Sequence, residues 1–120
     1  KIKWAISRFK PYKTPGTDGI YPILLQKGIE ILLPFICRIF RACLARRYVP
    51  TAWREVKVIY LPKVGRASDF TPKSYRPISL SSFLLKTLER LIDRHIRDVH
   101  LLSNPLSERQ YAYQPGKSTD

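Results

Sequence analysis

The stretch REVKVIYLPKVGRASDFTPKSYRPISL, residues 54–80, carries the pattern on which the fold prediction depends. Apolar and polar side chains alternate along residues 54–61, which is typical of a β-strand. Residues 76–80 predict a second, short or edge strand, because Pro77 has no N–H to donate to a central ladder. The polar residues 62–75 between them predict a loop, so the whole stretch predicts a β-hairpin.

Two cations stand at the ends of this loop, each beside a proline: Lys63 follows Pro62, and Arg76 precedes Pro77. Strand pairing would bring Lys63 and Arg76 together near the end of the hairpin where the loop opens. Lysine supplies a mobile point charge and arginine a planar fork of donors, so the pair can hold successive phosphates of a triphosphate. A solvated hairpin with incidental charges explains the spacing equally well.

Helical spacing of apolar residues predicts helices on the N-terminal side of the hairpin. The first helix stops before Pro11, and residues 14–19, TPGTDG, predict a tight turn. Residues 20–48 predict two helices, because Gly28 and Pro34 interrupt the pattern, and the second helix is expected to begin near Pro34.

The clearest amphipathic helix is predicted in residues 81–100, where either Ser81 or Ser82 can cap the N-terminus. Its apolar stripe consists of Leu84, Leu88, Leu91, Ile92 and Ile96. Charged residues, among them Lys86 and Arg90, are expected on its outer face. Residues 108–119 predict a last short strand or an extended segment. These elements indicate an α+β fold of helices plus one β-hairpin.

The charge of the chain is strongly positive. Its 120 residues contain 22 Lys and Arg against 9 Asp and Glu, a formal net charge of +13, and the length fits one domain or part of one. The excess is concentrated in residues 1–66, which hold 14 basic and 3 acidic residues. Such a balance favours a nucleic-acid partner over a membrane. The alternative is a solvated basic surface that keeps the protein in solution.

Cys37 and Cys43 match no usual zinc spacing and stand in an apolar stretch, so we expect buried free thiols in a reducing compartment. The longest apolar region is too short to span a bilayer, and no signal peptide is visible. The abrupt ends of the chain suggest an internal fragment that is open at both ends.

Two patterns that resemble catalytic or metal motifs do not qualify. Gly116-Lys117-Ser118 looks like the end of a phosphate-binding P-loop, but Tyr111 stands where that motif needs its first glycine. His95 and His100 form no metal-binding spacing with each other or with the cysteines. We therefore assign no catalytic residue and no metal ligand in the chain.

Four blocks of sequence, in this order, resemble the reverse transcriptase of non-LTR (LINE-type) retrotransposons, close to jockey-like insect elements. The blocks are KTPGTDGI, VPTAWREVKVIYLPK, SYRPISLSSFLLKTLER and ERQYAYQPGKST, which together span residues 13–119. The resemblance implies the right-hand polymerase fold. Residues 1–120 would then be a partial reverse transcriptase domain, the fingers with the approach to the palm, truncated before the catalytic palm.

The resemblance also implies roles for individual residues. Lys63 and Arg76 would contact the triphosphate of the incoming nucleotide. The turn block contributes weaker candidates for template contact, or for shaping the turn itself: Lys13, Gly16 and Asp18. Charge, rather than any motif, indicates an RNA-backbone face on the basic helix, formed by Arg38, Arg41, Arg46 and Arg47.

The chain departs from the family pattern in its last block, where Ala112 replaces a glycine and Gln114 an arginine. Polymerases of this family need Mg²⁺ held by aspartates, and those aspartates are expected beyond Asp120. The parent enzyme would be an RNA-directed DNA polymerase that uses template RNA, a DNA primer and deoxynucleoside triphosphates. The fragment alone is predicted to be inactive, with the missing palm packing on it and no membrane partner.

Two alternatives to this function stay open. The chain could be a decayed or domesticated remnant that binds RNA without catalysis, or an unrelated small basic RNA-binding domain. Localisation of the fragment is unknown from the sequence, whereas the parent is expected in the nucleus and the cytoplasm.

Overall fold

The computed structural model describes residues 1–65 and 71–118. The middle of the predicted loop, residues 66–70, and the last two residues, including Asp120, lie outside the described residues. The helices are α1 (Ile2–Ser7), α2 (Pro22–Lys27), α3 (Ile29–Arg46), α4 (Thr51–Arg54), α5 (Phe83–His95) and α6 (Leu101–Ser103). The strands are β1 (Lys57–Pro62) and β2 (Tyr75–Leu80), which form a two-stranded antiparallel sheet.

The predicted hairpin is confirmed. Its register pairs Lys57 with Leu80 at one end and Pro62 with Tyr75 at the other. The N–H of Lys63 donates to the carbonyl of Ser74 at 2.8 Å, which extends the pairing by one position.

The first strand begins later than predicted, because residues 51–54 form the short helix α4. Trp53 is the reason: its side chain is buried and packs edge-on against Phe40, with ring centroids 6.1 Å apart. This contact joins α4 to α3 and favours a helical turn where the alternation alone predicts strand.

The break between α2 and α3 lies at Gly28, so the expectation that the second helix begins near Pro34 is wrong. The N–H of Gly28 donates to Leu24 at 3.0 Å, and its carbonyl accepts from Leu32 at 2.9 Å, so a single residue ends one helix and starts the next. Pro34 lies inside α3 and removes one hydrogen bond. α3 nevertheless continues through Pro34, with Ile29 and Leu32 packed against the core before it and Ile36, Phe40 and Cys43 buried after it.

The core is small and predominantly helical. Its buried apolar side chains are Ile6, Leu25, Ile36, Phe40, Cys43, Trp53, Phe83 and Leu88. Leu88 of the predicted apolar stripe lies in this core and Leu84 and Leu91 pack against it, whereas Ile92 and Ile96 stay exposed. Both cysteines are free thiols, as predicted, but only Cys43 is buried and Cys37 is half-buried.

Arg90 does not lie on an outer face of α5 as expected. Its Nη1 donates to the carbonyl of Ala5 at 2.9 Å, and its guanidinium carbon lies 4.1 Å from the centroid of the Phe9 ring. The planar guanidinium can stack on an aromatic ring and cap a helical carbonyl at once. Arg90 therefore joins α5 to α1.

The C-terminal part of the chain is helical and then irregular. Beyond α5 the chain continues through one π-helical turn, Ile96–His100, into α6. The predicted strand or extended segment in 108–119 is wrong over the described residues to 118, which form successive turns with positive φ at Tyr113 and Gly116. Local bonds hold these turns, among them Gln110 N–H to the carbonyl of Ser107 at 2.9 Å.

The surface is large for a chain of this size. The accessible area is 9621 Å², whereas a compact monomer of the same mass exposes about 6,700 Å². The hairpin contributes to this excess, since in strands β1 and β2 only Ile59, Tyr75 and Leu80 are even half-buried. Among the described helices, none is long and apolar enough to cross a membrane.

Candidate nucleotide and nucleic-acid site

The hairpin register decides where Lys63 and Arg76 lie. Arg76 pairs with Leu61, two positions before Lys63. Side chains alternate between the faces of a strand, so Leu61, Lys63 and Arg76 share one face at the end where the connecting segment leaves. The sequence prediction that these cations come to the same end of the hairpin agrees with this register.

The two cations differ in their surroundings. Lys63 is half-buried, and its Nζ donates to the carbonyl of Lys73 at 2.6 Å. Arg76 is exposed and forms no ion pair with a described residue. Lys63 thus has a fixed position, and Arg76 has its whole donor fork available.

The same face of the hairpin forms one wall of an open cavity of about 690 Å³. The hairpin contributes four apolar side chains to this wall: Ile59, Leu61, Ile78 and Leu80. Phe9 and Phe83 form the opposite wall, where their rings meet edge-on with centroids 5.0 Å apart. Lys63 and Arg76 continue the hairpin face beyond the cavity.

Cations surround this cavity, which we call the hairpin cavity. They are Arg8, Lys10, Lys13 and Lys86. No Asp or Glu among the described residues lines it, so the local potential is positive. The Nζ of Lys86 lies 4.5 Å from the centroid of the Phe83 ring, which holds that charge at the apolar wall.

Of the cations of this cavity, only Lys13 was predicted from the sequence as a candidate for nucleic-acid contact, and Arg8, Lys10 and Lys86 were missed. The sequence did contain a pattern that indicates nucleic-acid contact by Arg8 and Lys10, since these two cations flank the aromatic residue Phe9 just after the first helix. Lys86 was assigned to the outer face of its helix because only the position of the hairpin shows what it faces.

The turn block is tied to α5. The Asp18 carboxylate accepts from the N–H of Ile20 at 3.1 Å and from the hydroxyl of Ser82 at 2.6 Å. Ser82 is the N-cap of α5, and its Oγ also accepts from the N–H of Leu84 at 3.2 Å. These contacts support turn shaping, one of the two predicted roles of Asp18.

Gly16 is buried against the same junction. A Cβ on Gly16 would lie 2.7 Å from the backbone carbon of Ser81 and 2.8 Å from the nitrogen of Ser82. Only glycine permits the turn to approach the start of α5 so closely. Gly16 and Asp18 therefore hold the turn against the residues that follow β2.

The structure does not bring the arginines of α3 to the hairpin cavity. Arg38, Arg41 and Arg46 are exposed on α3, and Arg47 caps its C-terminus with φ 51°. Arg41 instead borders a second groove of about 570 Å³ between α3 and α5. The lining of that groove is mostly apolar and includes the exposed Ile92 and Val99.

Among the described residues, no three His, Cys, Asp or Glu side chains come together to hold a metal ion. A hydrogen bond between the hydroxyls of Tyr48 and Thr51, 3.2 Å apart, together with the neighbouring Arg54, lowers the pKa of Tyr48 from its ordinary value.

Comparison with known proteins relates the chain to retrotransposon polymerases. It is 30% identical over 119 residues, 99% of this chain, to the "Probable RNA-directed DNA polymerase from transposon BS" of Drosophila melanogaster. It is also 30% identical over its whole length to the "Retrovirus-related Pol polyprotein from type-1 retrotransposable element R1" of Bradysia coprophila. The chain is a distant homologue of a segment of non-LTR retrotransposon reverse transcriptases. No protein-family model matches it.

The chain is short beside these relatives. A third relative, the RNA-directed DNA polymerase from mobile element jockey of Drosophila funebris, is 30% identical over 118 residues. The chain spans about an eighth of the curated relatives it matches, 13% of the first and 12% of the other two. The homology confirms the resemblance that the four sequence blocks indicate.

Proposed function

We propose that this chain is the fingers part of an RNA-directed DNA polymerase of a non-LTR retrotransposon, in which Lys63 and Arg76 contact the triphosphate of the incoming nucleotide. The observation that supports this role is the hairpin register, in which Arg76 pairs with Leu61 and Lys63 follows on the same face. The homology to retrotransposon polymerases supplies the reaction.

In this proposal the two cations act in different ways. Lys63, tethered at the carbonyl of Lys73, contributes a localised positive charge. Arg76 contributes a fork of donors that can bond two phosphate oxygens at once. Negative charge shifts toward the leaving phosphates during nucleotidyl transfer, so fixed cations beside them stabilise the transition state.

We place the divalent metal site of the polymerase, which would hold Mg²⁺, in another part of the longer polypeptide. The described residues contain no cluster of carboxylates that fits such ions. The present chain would bind and orient the nucleotide and the nucleic acid. Carboxylates elsewhere would hold the divalent ions, which would activate the 3′-hydroxyl of a DNA primer and stabilise the leaving pyrophosphate.

We propose that the hairpin cavity holds unpaired template RNA. It combines one aromatic wall, formed by Phe9 and Phe83, with four cations, and these suit the base stacking and phosphate contact of single-stranded nucleic acids. The apolar groove between α3 and α5 is proposed to receive the palm. A polymerase that copies RNA onto chromosomal DNA would act in the nucleus after assembly in the cytoplasm.

Steady-state kinetics of a polymerase that contains this segment test the nucleotide role. Lys63→Ala and Arg76→Ala should each raise the nucleotide KM about tenfold or lower kcat, at the ~1.4 kcal/mol that a tenfold change represents, with primer–template affinity unchanged. Lys73→Ala is the matched control, because only the backbone carbonyl of Lys73 contacts Lys63. Unchanged nucleotide kinetics in both variants would remove the assignment.

A second function, RNA binding without catalysis, is favoured by the net charge of +13 and by the cationic hairpin cavity. The two functions separate experimentally. If a polymerase that contains this segment shows no nucleotide incorporation while the 120-residue chain binds RNA, the second function is supported and the first is not.

A further inference from the structure

The outer side of α3 carries a second apolar stripe that nothing in the described structure covers. Ile31, Phe35 and Ile39 follow one another at four-residue spacing and are 76%, 58% and 42% exposed. The core-facing side of the same helix holds Ile36, Phe40 and Cys43. A helix at the surface of a globular domain normally has a polar outer face, so this stripe marks a second contact surface.

The stripe is straight and long enough to receive another helix. From Ile31 to the exposed Ala42, it extends for about 16 Å at 1.5 Å per residue. Side chains spaced by four and three residues match the ridges of a helix that packs along it. The outer face of α3 therefore offers three turns of continuous apolar contact.

Positive charge lies along the same side. Arg38 stands seven residues after Ile31, and Arg46 eleven residues after Phe35, spacings that keep both close to the stripe. Both are exposed, and neither forms an ion pair with a described residue. The one acidic side chain of α3, Glu30, is bonded to Lys3 at 2.5 Å.

The combination of apolar side chains and arginines on the outer face of α3 determines which kind of partner can bind there. A nucleic acid could bind the arginines but has nothing apolar to place on Ile31 and Ile39, which lack a planar face for base stacking. A second copy of the chain would bring arginines against arginines, which costs free energy at an interface. An acidic helix with one apolar side satisfies both features.

We propose that the outer face of α3 docks an acidic amphipathic helix of a partner protein. Its apolar side chains cover Ile31, Phe35 and Ile39, and its carboxylates pair with Arg38 and Arg46. Helix-in-groove and helix-on-helix recognition commonly combines such anchors with flanking charge. This inference does not depend on the proposed polymerase function, and it replaces the RNA-backbone role predicted for Arg38 and Arg46.

Fluorescence anisotropy with the 120-residue chain tests the proposal. The probe is a labelled synthetic 18-residue helix with leucines at positions 4, 8, 11 and 15 and glutamates beside them. A second peptide has lysine in place of every glutamate. The acidic peptide should bind at least tenfold more tightly than the basic one, and its affinity should fall as salt rises, since salt screens exposed ion pairs.

Variants locate the binding on α3. Phe35→Ser should weaken binding of the acidic peptide tenfold or more, and Arg38→Glu should reduce or reverse the preference for it. Val64→Ser, at a fully exposed apolar residue of the hairpin connection, is the matched control and should have no effect. Circular dichroism checks that each variant keeps its helices, and Ile31→Thr serves as a second apolar variant if Phe35→Ser loses them.

Three outcomes would overturn the proposal. They are equal affinity for the two peptides, affinity that is indifferent to both Phe35→Ser and Ile31→Thr, and absence of binding to the acidic peptide. In the last case, a loss of single-stranded RNA binding in Arg38→Glu would assign the face to RNA instead.

Discussion

Asp18 accepts a hydrogen bond of 2.6 Å from the hydroxyl of Ser82, a residue 64 positions further along the chain. The bond joins the turn before α2 to the N-cap of α5, two residues after β2 ends. Two of the four blocks that resemble the polymerase family are thereby held together. The position of the hairpin strand β2 relative to the helices depends on this junction.

Removing the Asp18 carboxylate should therefore loosen the junction. Asp18→Ala and Ser82→Ala should each lower the free energy of unfolding by about 1–2 kcal/mol, because each leaves a part-buried polar partner unsatisfied. In a double-mutant cycle the two effects should be less than additive. The measurement is urea unfolding, with hydrogen exchange of the Ile20 amide as a local readout. Strict additivity would mean that the bond contributes nothing.

Gly16→Ala should destabilise the chain more than Gly19→Ala. The new methyl at position 16 would meet the backbone of Ser81 and Ser82 at 2.7–2.8 Å, and backbone cannot move aside as a side chain can. Position 19 has open space, and its cost is the left-handed φ of 68°, about 1–2 kcal/mol for a residue with a Cβ. Thermal unfolding of the two variants compares the costs, and the opposite order would contradict this packing.

Arg90→Gln should destabilise the α1–α5 contact by about 1–3 kcal/mol, since it removes a charged hydrogen bond to Ala5 and the stacking on Phe9. Arg90→Lys should recover only part of the loss, because an ammonium lacks the planar fork. Arg109→Gln, on an exposed residue, is the control. Equal stability of the lysine and arginine forms would show that charge alone matters.

The hairpin cavity predicts a specific salt dependence for RNA binding. Lys10→Ala and Lys86→Ala should each weaken binding of a mixed-sequence single-stranded RNA and reduce the slope of log K against log salt by about 0.7, the value for one lost phosphate contact on a single strand. Lys27→Ala, on an exposed residue of α2 outside the cavity, should change neither. An unchanged slope in both cavity variants would exclude phosphate contact there.

The pKa of Tyr48 should report the α4 turn. Thr51→Val should raise it toward the ordinary value of 10.0, since the Thr51 hydroxyl is the largest cause of the lowering, and Arg54→Gln should raise it less. Folding lowers the pKa of Tyr48, so its ionised form stabilises the folded chain. This stabilisation is complete at a pH above the pKa of the tyrosine in the unfolded chain, and it disappears as the pH falls through its pKa in the folded chain. Carbon-13 NMR titration of the tyrosine ring resolves Tyr48 from the other six tyrosines.

Several structural features could be predicted from the sequence because they depend on residues that are close together along the chain. The alternation of residues 54–61 and the polar loop after it predicted the hairpin, and the serine pair at 81–82 predicted the cap of α5. The prediction that Lys63 and Arg76 come to the same end of the hairpin agrees with the register of the structure. The four blocks also indicated the relationship that the comparisons confirm.

Other features required contacts between distant parts of the chain. Proline chemistry favoured a helix start at Pro34, but the core face of α3 on both sides of that residue retained one continuous helix. Strand alternation extended to Arg54, but the contact of Trp53 with Phe40 imposed a helical turn.

The sequence by itself determined the local elements, the excess of positive charge and the pair of cations at the hairpin. Helix capping, turn chemistry and side-chain periodicity each depend on a few neighbouring residues, so a short stretch of sequence is enough to predict them. Only the tertiary structure decided that Asp18 bonds Ser82, that Arg90 stacks on Phe9, and that Lys86 faces the hairpin. Those contacts form when the apolar faces of separate helices and strands pack together. The packing geometry determines which distant residues meet, and no short stretch of sequence contains that information.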